Sequence, residues 1–182
     1  MRVIAGEFRG RQIRVPRGGG MRPTTGRVRE ASFNLLLTRL DLSGVSVLDL
    51  YAGTGALGLE ALSRGGRHAT FVESNPHVLR FCRDNVESLG VANRSTIFQM
   101  DASVFLSRAA TDSFELILAD PPYRMDGLDA LVSSALRVLA PHGFLVIEHD
   151  RGHDLSAGEL LVVSRRYGRT IVSLFTKEAF DE

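Results

Sequence analysis

Short apolar runs alternate with amphipathic segments through the middle of this chain. Five runs rich in Val, Ile, Leu and Phe have the length of strands that are buried on both faces, at residues 45–50, 69–73, 96–99, 116–119 and 144–148. Between them, apolar positions recur at helical spacing, at residues 56–64, 76–89, 102–110 and 128–139. This repeated order of strand, helix and strand predicts right-handed crossovers and a doubly wound parallel sheet.

The two ends of the chain follow a different pattern. Residues 160–166 and 170–176 have strand-like sequences and are joined by only three residues, 167–169, which predicts an antiparallel hairpin within the sheet. Residues 2–16 predict a second, basic β-hairpin around a glycine turn, and a helix is predicted over residues 27–40. We therefore expect an α/β fold with a doubly wound, mostly parallel sheet of seven strands, a C-terminal antiparallel hairpin and an N-terminal basic β-hairpin.

The composition is that of an ordinary globular domain. With 182 residues, 44% of them hydrophobic and 24% charged, the chain is long enough for one domain with a real core, and its composition excludes disordered, collagenous and coiled-coil classes. We expect a globular unit over residues 27–182, preceded by a basic arm over residues 1–26. Cys82 is the only cysteine, so no intramolecular disulfide can form, and no apolar stretch is as long as a membrane span. These features predict a cytoplasmic protein.

Positive charge is concentrated near the N-terminus. Residues 1–29 carry a net charge of +7 and the remaining residues carry −6, although the whole chain has a net charge of only +1. This asymmetry favours a surface that binds the phosphate backbone of a nucleic acid, with a solvated surface arm as the alternative. The candidate side chains are Arg2, Arg9, Arg11, Arg14, Arg22, Arg27 and Arg29.

A glycine-rich turn follows the first predicted strand of the sheet. Gly53, Gly55 and Gly58 satisfy the G-x-G-x-x-G pattern between a strand and a helix, which indicates a nucleotide-like cofactor. Asp49 lies at the mouth of this turn, where a carboxylate would repel the pyrophosphate of NAD but suits the ammonium and sulfonium groups of S-adenosylmethionine. A tight structural turn is the alternative interpretation.

Acidic residues also end the next two strands. Glu73 ends the second strand, where a carboxylate can accept hydrogen bonds from both hydroxyls of a ribose. Asp101 follows the third strand, where it can accept from an adenine amino group while the Ala102 amide donates to the ring. Each acid alone is compatible with an ordinary surface residue or helix cap, but three acids at three successive strand ends favour a cofactor site.

The fourth strand ends in Asp120, Pro121, Pro122 and Tyr123. The two prolines remove N–H donors and stiffen the backbone, so the turn presents the Asp120 carboxylate and the Pro121 carbonyl as acceptors. Acceptors without donors select an amine. An exocyclic amine of a nucleobase, held in this way, can turn its nitrogen lone pair towards an electrophilic methyl group while Tyr123 stacks on the base. A Pro-Pro turn at the end of a buried strand is the structural alternative.

The combination of DLYAGTG and DPPY resembles the Rossmann-like amino-methyltransferases that use S-adenosylmethionine. Three longer segments, IAGEFRGRQIRVP, RPTTGRVREASFNLL and DLYAGTGALGLEALSRG, carry a more specific similarity. Over about residues 2–148 the chain resembles the RsmD family. Members of this family are bacterial enzymes that methylate N2 of one guanine in 16S ribosomal RNA. The resemblance implies that residues 120–123 hold the guanine and that the arginines contact RNA. It implies a cofactor site lined by Asp49, Tyr51, Gly53, Gly55, Glu73, Asp101 and Ala102.

The predicted function is therefore guanine-N2 methylation of 16S ribosomal RNA, with S-adenosylmethionine as donor, S-adenosylhomocysteine as product and no metal. N6-adenine methylation of DNA or RNA is the nearest alternative, because D-P-P-Y binds either amine, whereas the basic arm disfavours methylation of a protein glutamine. From other classes, a nucleotide-dependent oxidoreductase is disfavoured by Asp49, and a non-catalytic RNA-binding protein stays an alternative. The expected partner is 16S ribosomal RNA, free or within a small ribosomal subunit, and no membrane is expected.

Overall fold

A seven-stranded sheet forms the centre of the computed structural model. The residues that the structure describes are 1–16, 26–123, 125–150, 152, 155 and 160–177. The strands are β1 (Ser46–Leu50), β2 (His68–Glu73), β3 (Ser95–Gln99), β4 (Phe114–Ala119), β5 (Leu139–His149), β6 (Leu161–Tyr167) and β7 (Thr170–Thr176). The helices are α1 (Gly26–Leu37), α2 (Ala56–Ser63), α3 (Pro76–Leu89), α4 (Ala102–Arg108) and α5 (Leu128–Val138).

The strand order is β3-β2-β1-β4-β5-β7-β6. Strands β1 to β5 pair parallel with one another, and β7 pairs antiparallel with both β5 and β6. The mixed, doubly wound sheet with its C-terminal hairpin confirms the fold predicted from the hydrophobic pattern. Strands β2 and β3 are added on one side of β1, and β4 and β5 are added on the other side. The carboxyl ends of β1 and β4 therefore lie side by side at the topological switch point, where ligands bind in such folds.

Helix α3 shows how local signals set the boundaries of an element. The Asn75 side chain caps the helix by accepting from the His77 N–H at 2.9 Å, and Pro76 occupies the first turn, where no N–H donor is needed. Gly90 ends the helix in the left-handed conformation, with φ of 75°. The observed bounds agree with the predicted ones. Within the described residues, no helix combines the length and the apolar character needed to cross a membrane.

The core has two layers, one on each face of the sheet. Alternate residues of β1 divide between them, because side chains along a strand point to opposite faces: Val47 packs with helices α1, α2 and α3, whereas Leu48 and Leu50 pack with α4 and α5. Asp49 shares the face of Val47 and therefore points towards helix α2, which follows the glycine turn.

Most predicted boundaries lie within two residues of the observed ones, and three differences from the sequence predictions are larger. Helix α1 ends at Leu37 and not at residue 40, because the N–H groups of Arg39 and Leu40 both turn back to the Leu36 carbonyl, at 2.9 and 3.0 Å. Strand β5 begins at Leu139, well before the predicted residue 144, although the chain passes through a left-handed His142 with φ of 60°. The predicted start was too late because Pro141, His142 and Gly143 interrupt the apolar pattern before residue 144.

The third difference lies in the N-terminal segment, residues 1–16. Two short strands were predicted there, but the pairing is one antiparallel bridge between Arg2 and Gln12, supported by backbone hydrogen bonds across the turn. The side chains of Val3, Phe8 and Ile13 are buried in the core layer that contains α2 and α3. The backbone of this segment is thus packed against the globular body, while most of its polar side chains face outward.

Candidate active site

Four parallel strands bring their polar ends to one edge of the sheet. Asp49 lies near the end of β1, Glu73 ends β2, Asp101 follows β3 and Asp120 follows β4. Because the sheet order is β3-β2-β1-β4, these ends are neighbours. The predicted juxtaposition of the four acids is what the topology produces.

The turn after β1 requires its glycines. Gly53 has φ of 57° and Gly55 has φ of 81°, a backbone region that residues other than glycine rarely adopt. A Cβ atom on Gly55 would also lie 2.8 Å from the Cys82 Sγ, and one on Gly58 would lie 2.5 Å from a ring carbon of Phe71. The turn is therefore held close to α3 and to β2.

Asp49 lies beneath this turn and is 0% exposed. Its Oδ2 accepts from the Gly58 N–H at 2.8 Å, and its Oδ1 has no hydrogen-bond partner among the described residues. Burial, and to a smaller extent the negative charges of Asp120 and Glu73, together raise the pKa of Asp49 to about 8, although the hydrogen bond from Gly58 lowers it. A cation bound over the turn would offset all three causes, so the site fits a positively charged ligand group and disfavours a pyrophosphate.

Glu73 joins the glycine turn to the start of α3. Its Oε2 accepts from the Gly53 N–H at 3.0 Å and its Oε1 from the Asn75 N–H at 2.8 Å. A carboxylate oxygen has two lone pairs, so each oxygen retains one acceptor position. The side chain is half-buried at the edge of the sheet, in a position where those remaining acceptors can meet the hydroxyls of a ribose.

Asp101 serves as the N-cap of helix α4. Its Oδ1 accepts from the N–H groups of Ser103 and Val104, at 2.8 and 3.3 Å. The hydrogen bond from the Ser103 side chain is the main reason why the pKa of Asp101 lies below its usual value. The helix-cap alternative is thus realised, and the carboxylate is still exposed at the site edge beside the buried Ala102. Its contact with an adenine stays a prediction.

Tyr51 has a left-handed backbone, with φ of 57°, an uncommon and costly conformation for a residue with a side chain. Its hydroxyl donates to the Met125 Sδ at 3.3 Å. Burial, and secondly the charge of Asp101, raise the pKa of Tyr51 to about 12. The half-buried side chain connects the glycine turn to the loop after β4.

The Asp-Pro-Pro-Tyr segment forms that loop. Asp120 is half-buried directly after β4, Pro121 is buried and Pro122 is exposed. The Tyr123 hydroxyl forms a 2.7 Å hydrogen bond with the Thr170 Oγ1, at the start of β7. The C-terminal hairpin, to which no role was assigned from the sequence, therefore holds the tyrosine ring of the motif.

Five of the seven candidate RNA-binding arginines are exposed: Arg2, Arg9, Arg11, Arg14 and Arg27. Two of them are also tied to the body or to their own turn, since Arg2 donates to the Gly10 carbonyl and Arg11 to the Ser88 carbonyl, each at 2.8 Å. Arg22 lies outside the described residues. The RNA contacts of these side chains stay predictions.

Arg29 requires a correction. Its side chain is 1% exposed, and its Nε lies 3.6 Å from the Oε2 of the fully buried Glu60. Its terminal nitrogens donate to the Met1 Sδ and to the Arg2 carbonyl. A guanidinium enclosed in this way offers no surface to a phosphate, so we withdraw Arg29 from the candidate RNA contacts. The charge pattern alone did not distinguish a buried ion pair from an exposed cation.

The fold and the strand-end site define a Rossmann-like methyltransferase. Residues 1–176 match the family described as Conserved hypothetical protein 95. The "Ribosomal RNA small subunit methyltransferase D" of Escherichia coli (strain K12) is 36% identical over 148 residues, which cover 81% of this chain and 71% of the relative. The protein YlbH of Bacillus subtilis (strain 168) is 36% identical over 97% of this chain and 99% of its own length. The chain therefore belongs to the RsmD family of methyltransferases.

A solved structure supports the same assignment. The structure of yhhF from Escherichia coli superposes with a TM-score of 0.84 at 31% identity, covering 99% of each chain. Similarity over both full chains includes the N-terminal segment and the C-terminal hairpin as well as the central sheet. The resemblance inferred from the motifs is thereby confirmed.

Proposed function

We propose that this protein transfers a methyl group from S-adenosylmethionine to the N2 amine of a guanine in 16S ribosomal RNA. The observation that carries the proposal is the juxtaposition of the glycine turn, with its buried Asp49, and the Asp120–Tyr123 loop at adjacent strand ends. One half suits a cationic nucleoside and the other presents acceptors to an amine. The name of the Escherichia coli relative supports ribosomal RNA of the small subunit as the substrate.

The residues around the glycine turn fit S-adenosylmethionine. The buried acid beneath the turn favours its positive charges, and Glu73 has acceptor positions for its ribose. Asp101 and Ala102 flank the position expected for its adenine. When bound, S-adenosylmethionine supplies an electrophilic methyl group on a positively charged sulfur. The protein's part is to fix that methyl group in line with the attacking nitrogen.

The loop after β4 orients the amine. The Asp120 carboxylate and the Pro121 carbonyl accept its two hydrogens, which turns the nitrogen lone pair towards the methyl group, and the Tyr123 ring stacks on the base. Attack by the oriented nitrogen would form the N–C bond, and bound S-adenosylmethionine would supply the methyl group and be released as S-adenosylhomocysteine. The methylated nitrogen is then strongly acidic and loses its proton to solvent without a dedicated base. Asp120 stabilises the positive charge that develops on the nitrogen.

The exposed arginines of the N-terminal segment supply the RNA surface. The side chains of Arg9 and Arg14 are exposed on a backbone that is packed on α2 and α3, and the Arg14 backbone is linked through Asn85 to Thr54 of the glycine turn. Phosphate contacts of this kind position an RNA without reading its sequence. A ribosomal RNA substrate, together with the presence of a single cysteine, supports a cytoplasmic location.

Identification of the methylated nucleoside tests the proposal. The RNA of the small ribosomal subunit is prepared from cells that lack this protein, once as free RNA and once as assembled particles. Each preparation is incubated with the protein and labelled S-adenosylmethionine, and the RNA is then digested to nucleosides. Label in N2-methylguanosine is expected. Label in N6-methyladenosine would instead establish the adenine alternative, and RNA that binds without becoming labelled in either form would indicate a non-catalytic protein.

A further inference from the structure

Asn85 connects the N-terminal segment to the glycine turn through one side chain. This residue of α3 is 1% exposed. Its Oδ1 accepts from the backbone N–H of Arg14 at 2.7 Å, and its Nδ2 donates to the carbonyls of Arg14 and Thr54, both at 3.0 Å. Thr54 is the middle residue of the turn between Gly53 and Gly55.

The chemistry of the three backbone groups fixes the orientation of this amide. The Arg14 N–H can be met only by an oxygen, and the two carbonyls can be met only by the NH2 group. A flipped amide would place donor against donor and acceptor against acceptor, around a side chain that is itself buried. One rigid planar group therefore sets the position of Arg14 and Thr54 relative to each other.

Arg14 has its backbone held by this amide while its side chain is exposed. A phosphate that binds the guanidinium restricts the backbone of Arg14, and a ligand on the glycine turn restricts that of Thr54. Both restraints act on the same amide. Ordering one of the two backbone groups thus lowers the entropy still to be lost when the other is ordered.

We propose that Asn85 is a positioning residue that couples the basic segment to the cofactor turn, so that RNA and cofactor strengthen each other's binding. The inference rests on the proposed function, because it assumes that the turn binds S-adenosylmethionine and that the segment binds RNA. Coupling between two sites is reciprocal: each ligand must raise the affinity of the other by the same factor. Typical couplings begin at about fivefold, which is the smallest effect expected here.

Ser63 provides a matched control. On α2, its Oγ donates to the Ala5 carbonyl at 2.6 Å and accepts from the Phe8 N–H at 2.9 Å. It fastens the same N-terminal segment through two backbone groups, as Asn85 does, but makes no contact with the glycine turn. Ser63→Ala therefore reports what loosening the segment does by itself.

The test is a calorimetric titration of S-adenosylhomocysteine into the full-length protein, without RNA and with saturating 16S ribosomal RNA, supplied either as a free transcript or in small ribosomal subunits from cells that lack the protein. For the wild type, the RNA is expected to strengthen binding about fivefold or more. Asn85→Ala should bring this factor close to one, and Ser63→Ala should leave it near the wild-type value. Asn85→Asp, which keeps the acceptor for the Arg14 N–H but opposes the two carbonyls with an oxygen, should also lose the coupling.

The outcomes separate the coupling from the function on which it rests. A wild type that binds both ligands with no change in affinity would overturn the coupling alone, without any variant being needed. Equal loss in Ser63→Ala and Asn85→Ala, or retention in both, would overturn the role of Asn85. A wild type that fails to bind S-adenosylhomocysteine, or that binds the RNA neither free nor in small subunits, would overturn the proposed function, and the coupling with it.

Discussion

Two fully buried carboxylates, Glu60 on α2 and Asp49 on β1, lie on the same face of the sheet, and they have opposite surroundings. Glu60 is surrounded by donors: the N–H groups of Ile4 and Ala5 at 2.8 and 3.0 Å, the Arg64 Nε at 2.8 Å and the Arg29 Nε at 3.6 Å. Asp49 has the Gly58 N–H alone among the described residues, and two other acids lie near enough to raise its pKa.

The contrast distinguishes a carboxylate whose partners are supplied by the fold from one that a bound cation could pair. Burying a charge is costly unless it is paired and hydrogen-bonded, and Glu60 meets both conditions. It joins the N-terminal segment, α1 and α2 in one buried network. Asp49 meets neither condition fully, so its carboxylate is held in a state that a cationic ligand would relieve. We therefore expect loss of Glu60 to reduce stability and loss of Asp49 to reduce ligand binding.

Removing the Glu60 carboxylate should have the largest effect. Glu60→Ala leaves the Arg29 charge buried without its partner and two backbone N–H groups without their acceptor, which typically costs about 3–5 kcal/mol. Urea unfolding measures the free energy of unfolding directly. Glu7→Ala is the control, because its ion pair with Arg94 is exposed and should contribute less than about 1 kcal/mol. Similar losses in both variants would refute the structural role of Glu60.

Removing the Asp120 carboxylate should mainly reduce the rate of methylation. Loss of one oriented contact to the developing charge costs about 3 kcal/mol, so Asp120→Ala should turn over about a hundredfold more slowly. Its dissociation constant for S-adenosylhomocysteine should stay within a few-fold of the wild type, because the acceptor serves the amine. Single-turnover methylation and calorimetry separate the two effects, and wild-type turnover would exclude the assigned role.

Asp49→Asn should weaken S-adenosylhomocysteine binding by about tenfold, the effect of losing roughly 1.4 kcal/mol of charge interaction. The affinity for S-adenosylhomocysteine should also depend on pH in a defined direction. With a folded pKa of about 8, Asp49 releases its proton when a cation binds, so the wild-type affinity should rise between pH 6.5 and 8, and the affinity of the variant should rise less.

The same substitution should not destabilise the fold at high pH. Because the pKa of Asp49 is higher in the folded state than in the unfolded state, this residue lowers the free energy of unfolding of the protein as pH rises from about 4 to about 8. The wild type carries this loss above pH 8, and the Asn variant does not. Thermal unfolding at pH 6 and pH 8.5 checks the difference; a variant that is less stable than the wild type at the higher pH would contradict it.

The smallest effect is expected at the tyrosine of the Asp-Pro-Pro-Tyr loop. Tyr123→Phe keeps the stacking ring and loses one hydrogen bond to Thr170, worth about 0.5–1.5 kcal/mol. Thr170→Val removes the same bond from the other side and should slow methylation to a similar, less than about tenfold, extent. Tyr123→Ala should be slower than either. Equal rates for the Phe and Ala variants would argue against stacking.

The location of the strand-end acids could be predicted from the sequence, because it depends only on two local patterns, a buried strand and the acid that follows it, and on the topology of a doubly wound sheet. A buried strand followed by an acid, repeated along a doubly wound sheet, brings Asp49, Glu73, Asp101 and Asp120 to one edge. The glycine positions were predicted for the same reason, since the conformations of Gly53 and Gly55 are properties of the turn itself.

Contacts between residues distant in the chain could not be predicted. Glu60 meets Ile4 across 56 positions, and Asn85 meets Arg14 across 71. Thr170 reaches Tyr123 only because β7 inserts between β5 and β6. The same limitation explains the error at Arg29: an arginine among other arginines indicates positive charge, but its burial depends on Glu60, which is brought to it by the fold.

The most direct test of the central claim, that Asp49 and the glycine turn select a cationic nucleoside, is a pair of calorimetric titrations on the wild-type protein. One uses S-adenosylhomocysteine, whose ammonium the site should favour, and the other uses NAD, whose pyrophosphate it should repel. Saturable binding of S-adenosylhomocysteine and no detectable binding of NAD is the predicted result. Saturable binding of NAD without binding of S-adenosylhomocysteine would contradict it.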